Sequence, residues 1–271
     1  MKNQKYLDFI EKHLLIVNKD GLLVPFKLNP IQLKFLTEDT ENGKDIILKA
    51  RQQGFSSLIL ALFLADFLFE KNTYNVVVAD DTDNAQGLLK RVKDYLRYLQ
   101  DTTGQDFTKF LKYNSKYEMY NQDNNATYHI GTAQNTQFGR SRTITNLHLS
   151  EAAFYPHLSE ILAGAMQAVV PTGRVIMETT ANGFNEFKDY WDKTQLGETP
   201  FKAHFYKASD FYSPEFLEQK KAELQRLYRQ EYPETPQEAF VTSGDTYFES
   251  TALEAYLSQV REPIKENLIY V

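Results

Sequence analysis

The sequence predicts an α/β protein whose open, mostly parallel sheet is flanked by helices. Four short apolar runs, residues 46–48, 74–79, 145–149 and 174–180, are each followed by a stretch of helical character. Strands that alternate with helices in this way build parallel sheets through crossover connections. Each run also ends in polar residues, and in open sheets the ends of parallel strands gather along one edge and form the site there.

Taken in order, residues 1–25 read as an amphipathic helix and a turn at Asp20-Gly21, closed by Pro25. Asn29 and Pro30 then start a helix anchored by Ile31, Leu33, Phe35 and Leu36. Gln32 lies on it, and its amide offers the donor and acceptor that read an adenine edge, although a glutamine on a helix is more often simply solvated. The run 46–48 leads through a polar loop to an apolar helix from Ser56 to Phe69, and 74–79 is the next buried strand. Asp80, Asp81, Thr82 and Asp83 cap a helix reaching about Leu99. Residues 117–120 and 127–130 read as a hairpin. The strand 145–149 runs into Ser150-Glu151, with a helix from about Leu158, and 174–180 ends in TTANG before a helix carrying Trp191. Past residue 200 the pattern changes to a strand (201–208), a charged helix (214–231) and a turn-rich segment (232–249). The expected organisation is an N-terminal helical segment (1–25), a core (26–200), a small lid or linker subdomain (201–250) and a junction (251–271).

The chain has 271 residues, 42% hydrophobic and 24% charged, which is the composition of a soluble globular protein. It has no cysteine, which excludes disulfides, thiolate metal sites and a cysteine nucleophile. The N-terminus lacks signal-peptide features, and the apolar stretch 58–69 is too short for a bilayer and is interrupted by Asp66, so an intracellular protein is expected. A net charge of −6 argues against a surface coated for nucleic acid. A local track remains between Gln86 and Tyr120, where Lys90, Arg91, Lys93, Arg97, Lys109, Lys112 and Lys116 outnumber Asp94, Asp101, Asp106 and Glu118 by three. Tyrosines 95, 98, 113 and 117 interleave with them. This is either a phosphate-contacting surface or a solvated helix face with tyrosines in the core.

The stretch DIILKARQQGFSSLIL outlines a phosphate-binding loop between a strand and a helix. Backbone N–H groups at a helix start, aided by its dipole, hold an anion where a glycine lets it approach, and a hydroxyl just after it can ligate Mg²⁺. Against G-x-x-x-x-G-K-[ST], only Gly54 and Ser56 fall in place, with Lys49 and Phe55 at the other marked positions. The missing charge can come from Lys49 or Arg51, Arg being better suited to a bidentate grip. Alone, the stretch is equally an ordinary strand-to-helix turn. Glu151, just past an apolar strand, adds the acid that nucleotide hydrolases use to orient water, and favours an ATPase.

LNPIQ, KARQQGFSS, FGRSR, LHLSEAAF, METTANG and YPETPQEAF, in that order, resemble the ATPase part of large terminase subunits of tailed bacteriophages, over about residues 26–250. The resemblance implies a P-loop NTPase of the RecA/ASCE type that hydrolyses ATP with Mg²⁺ to drive double-stranded DNA into a procapsid. It implies that Gln32 contacts adenine, that Lys49, Arg51, Gln52, Gln53, Gly54, Phe55, Ser56 and Ser57 form the nucleotide loop, and that Arg51 contacts phosphate. Ser56 would hold Mg²⁺, with Ser150 and Glu151 acting through water, and Glu151 would be the catalytic carboxylate. Arg140 would be an arginine finger offered to a neighbouring subunit, with Arg142 in reserve. Thr179, Thr180 and Asn182 match the coupling motif. DNA would run along Lys90, Arg91, Lys93, Arg97, Lys112 and Lys116. The implied partners are duplex DNA, a portal protein, a small terminase subunit and further copies in a ring, five being the expected number, in the cytoplasm of an infected bacterium. Ser150 stands where such ATPases usually carry Asp, which predicts a weaker, neutral metal anchor. The nuclease that follows in large terminases has no room before residue 271, so no nuclease activity is expected. A helicase-like ATPase and a non-hydrolysing ATP-binding scaffold are the rival readings.

Overall fold

The computed structural model describes residues 2–38, 43–135, 142–241 and, near the C-terminus, 252, 255, 256 and 259–261. Helix α1 (Lys2–His13) leads into a hairpin of β1 (Leu15–Val17) and β2 (Leu23–Pro25), followed by α2 (Pro30–Thr37). Next come β3 (Lys44–Lys49), α3 (Phe55–Phe69), β4 (Tyr74–Ala79) and α4 (Thr82–Thr103), then the meander β5 (Leu111–Asn114), β6 (Glu118–Asn121) and β7 (Ala126–Thr132). The chain continues through β8 (Ile144–Ser150), α5 (Leu158–Ala168), β9 (Val169–Thr179), α6 (Glu186–Gln195) and β10 (Lys202–Tyr206), and the described part closes with α7 (Pro214–Leu224), α8 (Tyr228–Glu231) and α9 (Pro236–Val241).

Among the described residues, eight strands form one sheet in the order β10-β3-β9-β8-β4-β7-β6-β5. The first six run parallel, and β6 and β5 are added antiparallel at the far edge. The expected α/β architecture is therefore observed, with a strand, β9, inserted between β3 and β8. Inner strands of a parallel sheet are covered on both faces and have no solvated side. Ile47, Val77 and Ile176 pack on one face with α1 to α4, while Ile46, Leu48, Val76, Val78, Leu147, Leu149, Val175 and Met177 pack on the other with α5 and α6. Helix α3 lies between the sheet and α1 and α4, which explains an apolar surface on almost every side. Its one buried charge, Asp66, accepts from the Tyr6 hydroxyl (2.5 Å) and the Asn146 amide (2.9 Å), as a buried carboxylate must.

Several expectations shift in detail. Lys49 ends β3 rather than opening the loop. Strand β10 lies along β3, so the sheet continues past residue 200 into the segment expected to be a separate appendage. The helix expected over 214–231 breaks at Gln225, whose φ is +49°. Beyond β10, Tyr212, Leu217 and Tyr232 form a small cluster of their own on Ala50 and Ala208. Residues 242–250 and most of 251–271 lie outside the described residues. Two short pieces were not expected from the sequence, the β1–β2 hairpin and edge strand β5.

Candidate active site

The parallel register fixes which side chains meet at the C-terminal edge. Leu48 of β3 pairs with Thr179 of β9, and Ser150 of β8 pairs with Glu178 of β9. Lys49, Glu178 to Thr180 and Ser150 to Glu151 thereby come to one place. Lys49 Nζ lies 3.2 Å from Glu151 Oε1 and 3.1 Å from Glu178 Oε2, with only 5% of its side chain exposed. Burial would lower the lysine pKa, but the two carboxylates outweigh it and raise it, so the ammonium is firmly charged.

Glu178 is fully buried. Its Oε1 accepts from Ser56 Oγ (2.7 Å) and Ser150 Oγ (2.9 Å) and lies 3.3 Å from His148 Nε2. Burial pushes this carboxyl up, yet Lys49, then His148 and Ser56, hold it well below the usual carboxylate range. Glu151 is two-thirds buried, with φ and ψ of 57° and 46°. A non-glycine residue in this left-handed region is strained by on the order of 1 kcal/mol or more, and the carboxylate lies over the strand ends. There its Oε2 accepts from Thr179 Oγ1 and from the Thr180 N–H, both at 3.3 Å. Asn182 donates to the Ala153 carbonyl (3.2 Å), so all three expected coupling residues attach to the Glu151 segment.

The loop after β3 is held from two sides. Gln52 (φ +58°) and Gly54 (φ +82°) turn the chain into α3. Gln32 donates to the Gly54 carbonyl (2.7 Å), while its Oε1 accepts from the Asn29 N–H in a capping box at the start of α2. A Cβ on Gly54 would lie 2.8 Å from Gln32 Nε2, so the glycine is needed for space as well as for φ. Helix α2 is itself fastened to the sheet by His204 of β10, whose ring nitrogens face Glu38 (2.9 Å) and Asp45 (2.8 Å). On the other side Gln53 donates to the Lys207 carbonyl, and Phe55 packs on Tyr206. The N–H groups at the start of α3 have no partner within the helix, the usual anion-binding end.

The structure divides the expected site residues. Lys49, Ser56, Ser150, Glu151, Thr179 and Thr180 converge. Arg51, favoured from the sequence as the phosphate contact, does not join them: it is 59% exposed and paired at 3.0 Å with Glu231, the last residue of α8. It lies beyond the end of β3, whereas Lys49 is still in the strand and points among the carboxylates. Gln32, the expected adenine contact, is buried and donates its amide to the Gly54 carbonyl. Ser57 accepts a hydrogen bond from Arg91 Nη1 (3.1 Å), which turns one residue of the basic track towards the loop helix. Lys90 and Arg97 pair with Asp94, and Lys93 donates to the Ser115 carbonyl, while Lys112 and Lys116 are exposed near Tyr113 and Tyr117. Arg142 sits at the opposite end of β8, paired with Glu118 (3.1 Å) and over Tyr74. At about 3.3 Å per residue, the seven residues of β8 alone put roughly 20 Å between its two ends. Arg140 lies outside the described residues.

Glu178 and His148 were missed in the sequence. The available signal was a charge inside RVIMETT and a histidine inside NLHL, because a buried strand carries such groups only when they are partnered. A serine hydroxyl at a helix start with carboxylates behind it is a set of oxygen donors that could take a magnesium ion. Among the described residues, no group of three or more histidine or acidic side chains is placed to hold a metal directly.

No family model matches the chain. Among solved structures, the chain is similar to the large terminase ATPase domain of Thermus phage P74-26, at 16% identity and a TM-score of 0.60, covering 76% of this chain and 93% of that one. It is also similar to the large terminase of bacteriophage HK97 (17%, TM-score 0.64, covering 83% of this chain and 52% of that one). A third is the large terminase of a thermophilic bacteriophage in complex with ADP (15%, TM-score 0.53, covering 75% and 52%). The chain spans about half the length of the latter two proteins. With β9 set between the loop strand β3 and the glutamate strand β8, the chain has the fold of the ATPase domains of phage large terminases.

Proposed function

We propose that this chain is an ATPase and that its hydrolysis of ATP drives double-stranded phage DNA into a procapsid. The observation that carries this reading is the buried Lys49, held between Glu151 and Glu178 at the mouth of a glycine-turned helix start. The similar solved structures, a large terminase ATPase domain and a large terminase in complex with ADP, support the same reading.

In this reading the N–H groups of the loop and of α3 bind the phosphates, and Lys49 releases Glu151 to meet the β and γ oxygens. Glu151 orients a water in line with the β,γ bridge and accepts its proton as the new P–O bond forms and ADP leaves. Ser56 is the residue to hold Mg²⁺, which when bound neutralises charge on the transferred phosphoryl group. Thr179 and Thr180, fastened to Glu151, pass the change to β9 and the segment after β10, which Arg51 and Glu231 tie to the loop. Gln53 and Phe55 shape that loop from below. Arg140 acts on a neighbour's site in a ring of copies, five in our reading, with Arg142 as reserve.

The exposed Lys112 and Lys116, with Lys90, Lys93 and Arg97, would touch the phosphate backbone of duplex DNA without reading its sequence. A portal protein and a small terminase subunit complete the machine in the cytoplasm of the infected cell. No helix among the described residues is long and apolar enough to cross a membrane.

The test is ATP turnover per chain against protein concentration, with and without duplex DNA, for wild type, Arg140→Ala and Glu151→Gln. A rate that rises with concentration and is lost in both variants supports the ring motor. A rate flat in concentration and indifferent to Arg140 indicates a self-sufficient ATPase, and nucleotide binding without turnover indicates a scaffold.

A further inference from the structure

Ser150 occupies the place where the sequence predicts a weak, neutral anchor for the metal. Yet Ser150 and Glu178 are direct cross-strand partners, and the serine hydroxyl donates to Glu178 Oε1 at 2.9 Å. The same oxygen takes the proton of Ser56 at 2.7 Å. We infer that Glu178, one strand over, supplies the carboxylate that position 150 lacks: it orients the Ser56 and Ser150 hydroxyls towards the magnesium ion of the nucleotide complex. The inference rests on the ATPase reading and makes Glu178 a positioning residue.

The chemistry follows from the donors. A hydroxyl that gives its proton to a carboxylate keeps its oxygen lone pairs for a cation or for a water on that cation. With both hydroxyls donating to one carboxylate oxygen, both serine oxygens are fixed as acceptors. The negative charge sits behind them, where it raises their basicity as outer-shell carboxylates do for metal ligands. Glu178 is fully buried, so it keeps that charge only with compensation, which Lys49 provides at 3.1 Å. An aspartate at 150 would place a carboxylate beside the same serine from β8. This chain reaches the same end with a serine on β8 and a glutamate on β9.

The test exchanges the two positions. Mn²⁺ binding, followed by loss of its free electron paramagnetic resonance signal in the presence of ADP, is compared for wild type, Glu178→Gln, Glu178→Gln with Ser150→Asp, and Glu178→Gln with Ser150→Asn. ADP affinity in EDTA and thermal melting are measured alongside. We expect Glu178→Gln to weaken Mn²⁺ about 10- to 100-fold while metal-free ADP binding is kept. Ser150→Asp should then restore most of the affinity and Ser150→Asn none. If Glu178→Gln alone does not fold, the Asp and Asn double variants carry the comparison. Unchanged Mn²⁺ affinity in Glu178→Gln with a lowered melting point means a merely structural glutamate and overturns the inference. Equal behaviour of the Asp and Asn doubles overturns it too. A wild type that binds no ADP, with or without metal, overturns the ATPase reading itself and this inference with it.

Discussion

Lys49 and Glu151, 102 positions apart in sequence, meet at 3.2 Å across the end of the intervening strand β9. The ammonium is thus held by the very carboxylate that the proposed chemistry needs free. Replacing Lys49 by Met should lower turnover at least ~100-fold and weaken nucleotide binding, because a buried cation facing the phosphates is lost. Lys49→Arg keeps the charge but not the shape, and should fall between. Equal turnover in Lys49→Met and wild type would move the phosphate-binding role back to Arg51.

Gly54 carries a φ of +82° beneath the Gln32 amide. Gly54→Ala adds the left-handed penalty of about 1–2 kcal/mol and pushes Gln32 off the loop, so denaturant unfolding should report at least that loss. Combining it with Gln32→Ala should cost less than the sum of the two single changes, since the clash is then gone. Strict additivity would mean that the two residues do not communicate.

The acid limb of stability should depend on Glu178. Its pKa is held down against burial, chiefly by Lys49, so the carboxylate contributes stability above the ordinary value of about 4.3. That contribution is lost as pH falls below the ordinary value towards the depressed one. The melting temperature of wild type should therefore drop more steeply between about pH 5 and pH 3 than that of Glu178→Gln. Parallel profiles would show that Glu178 is not ionised in the folded protein.

Salt separates two kinds of basic residue on and near α4. Lys112→Ala and Lys116→Ala should each reduce the salt slope of duplex DNA binding by about one. Arg91→Ala, which removes the hydrogen bond to Ser57, should disturb nucleotide binding and leave that slope nearly unchanged. A slope change in Arg91→Ala equal to that of the lysines would place Arg91 on the DNA.

The parallel sheet was legible because β3, β4, β8 and β9 carry mostly apolar runs and each leads into a helix. Glu151, Ser56 and the loop were legible because strand ends mark the edge of such a sheet. What escaped depends on pairing. Lys49 and Arg51 are two residues apart and chemically alike, and only the length of β3 decides which faces the carboxylates. The role of Glu178 needed the register of β8 against β9, which periodicity does not give. Gln225, with no glycine or proline beside it, gave no sign of a break, and β5 is a four-residue edge strand with little burial to mark it.

Strand β9 has one more effect. Two inter-strand spacings separate β3 from β8, about 9.5 Å at roughly 4.7–4.9 Å each, and the long side chain of Lys49 now spans that interval. In the proposed reaction the same interval admits a terminal phosphate and one water. On that proposal the inserted strand is a ruler between the group that grips and the group that cuts. A substitution in it that alters only twist, touching neither partner, should change the rate of hydrolysis while leaving the affinity for ADP where it was.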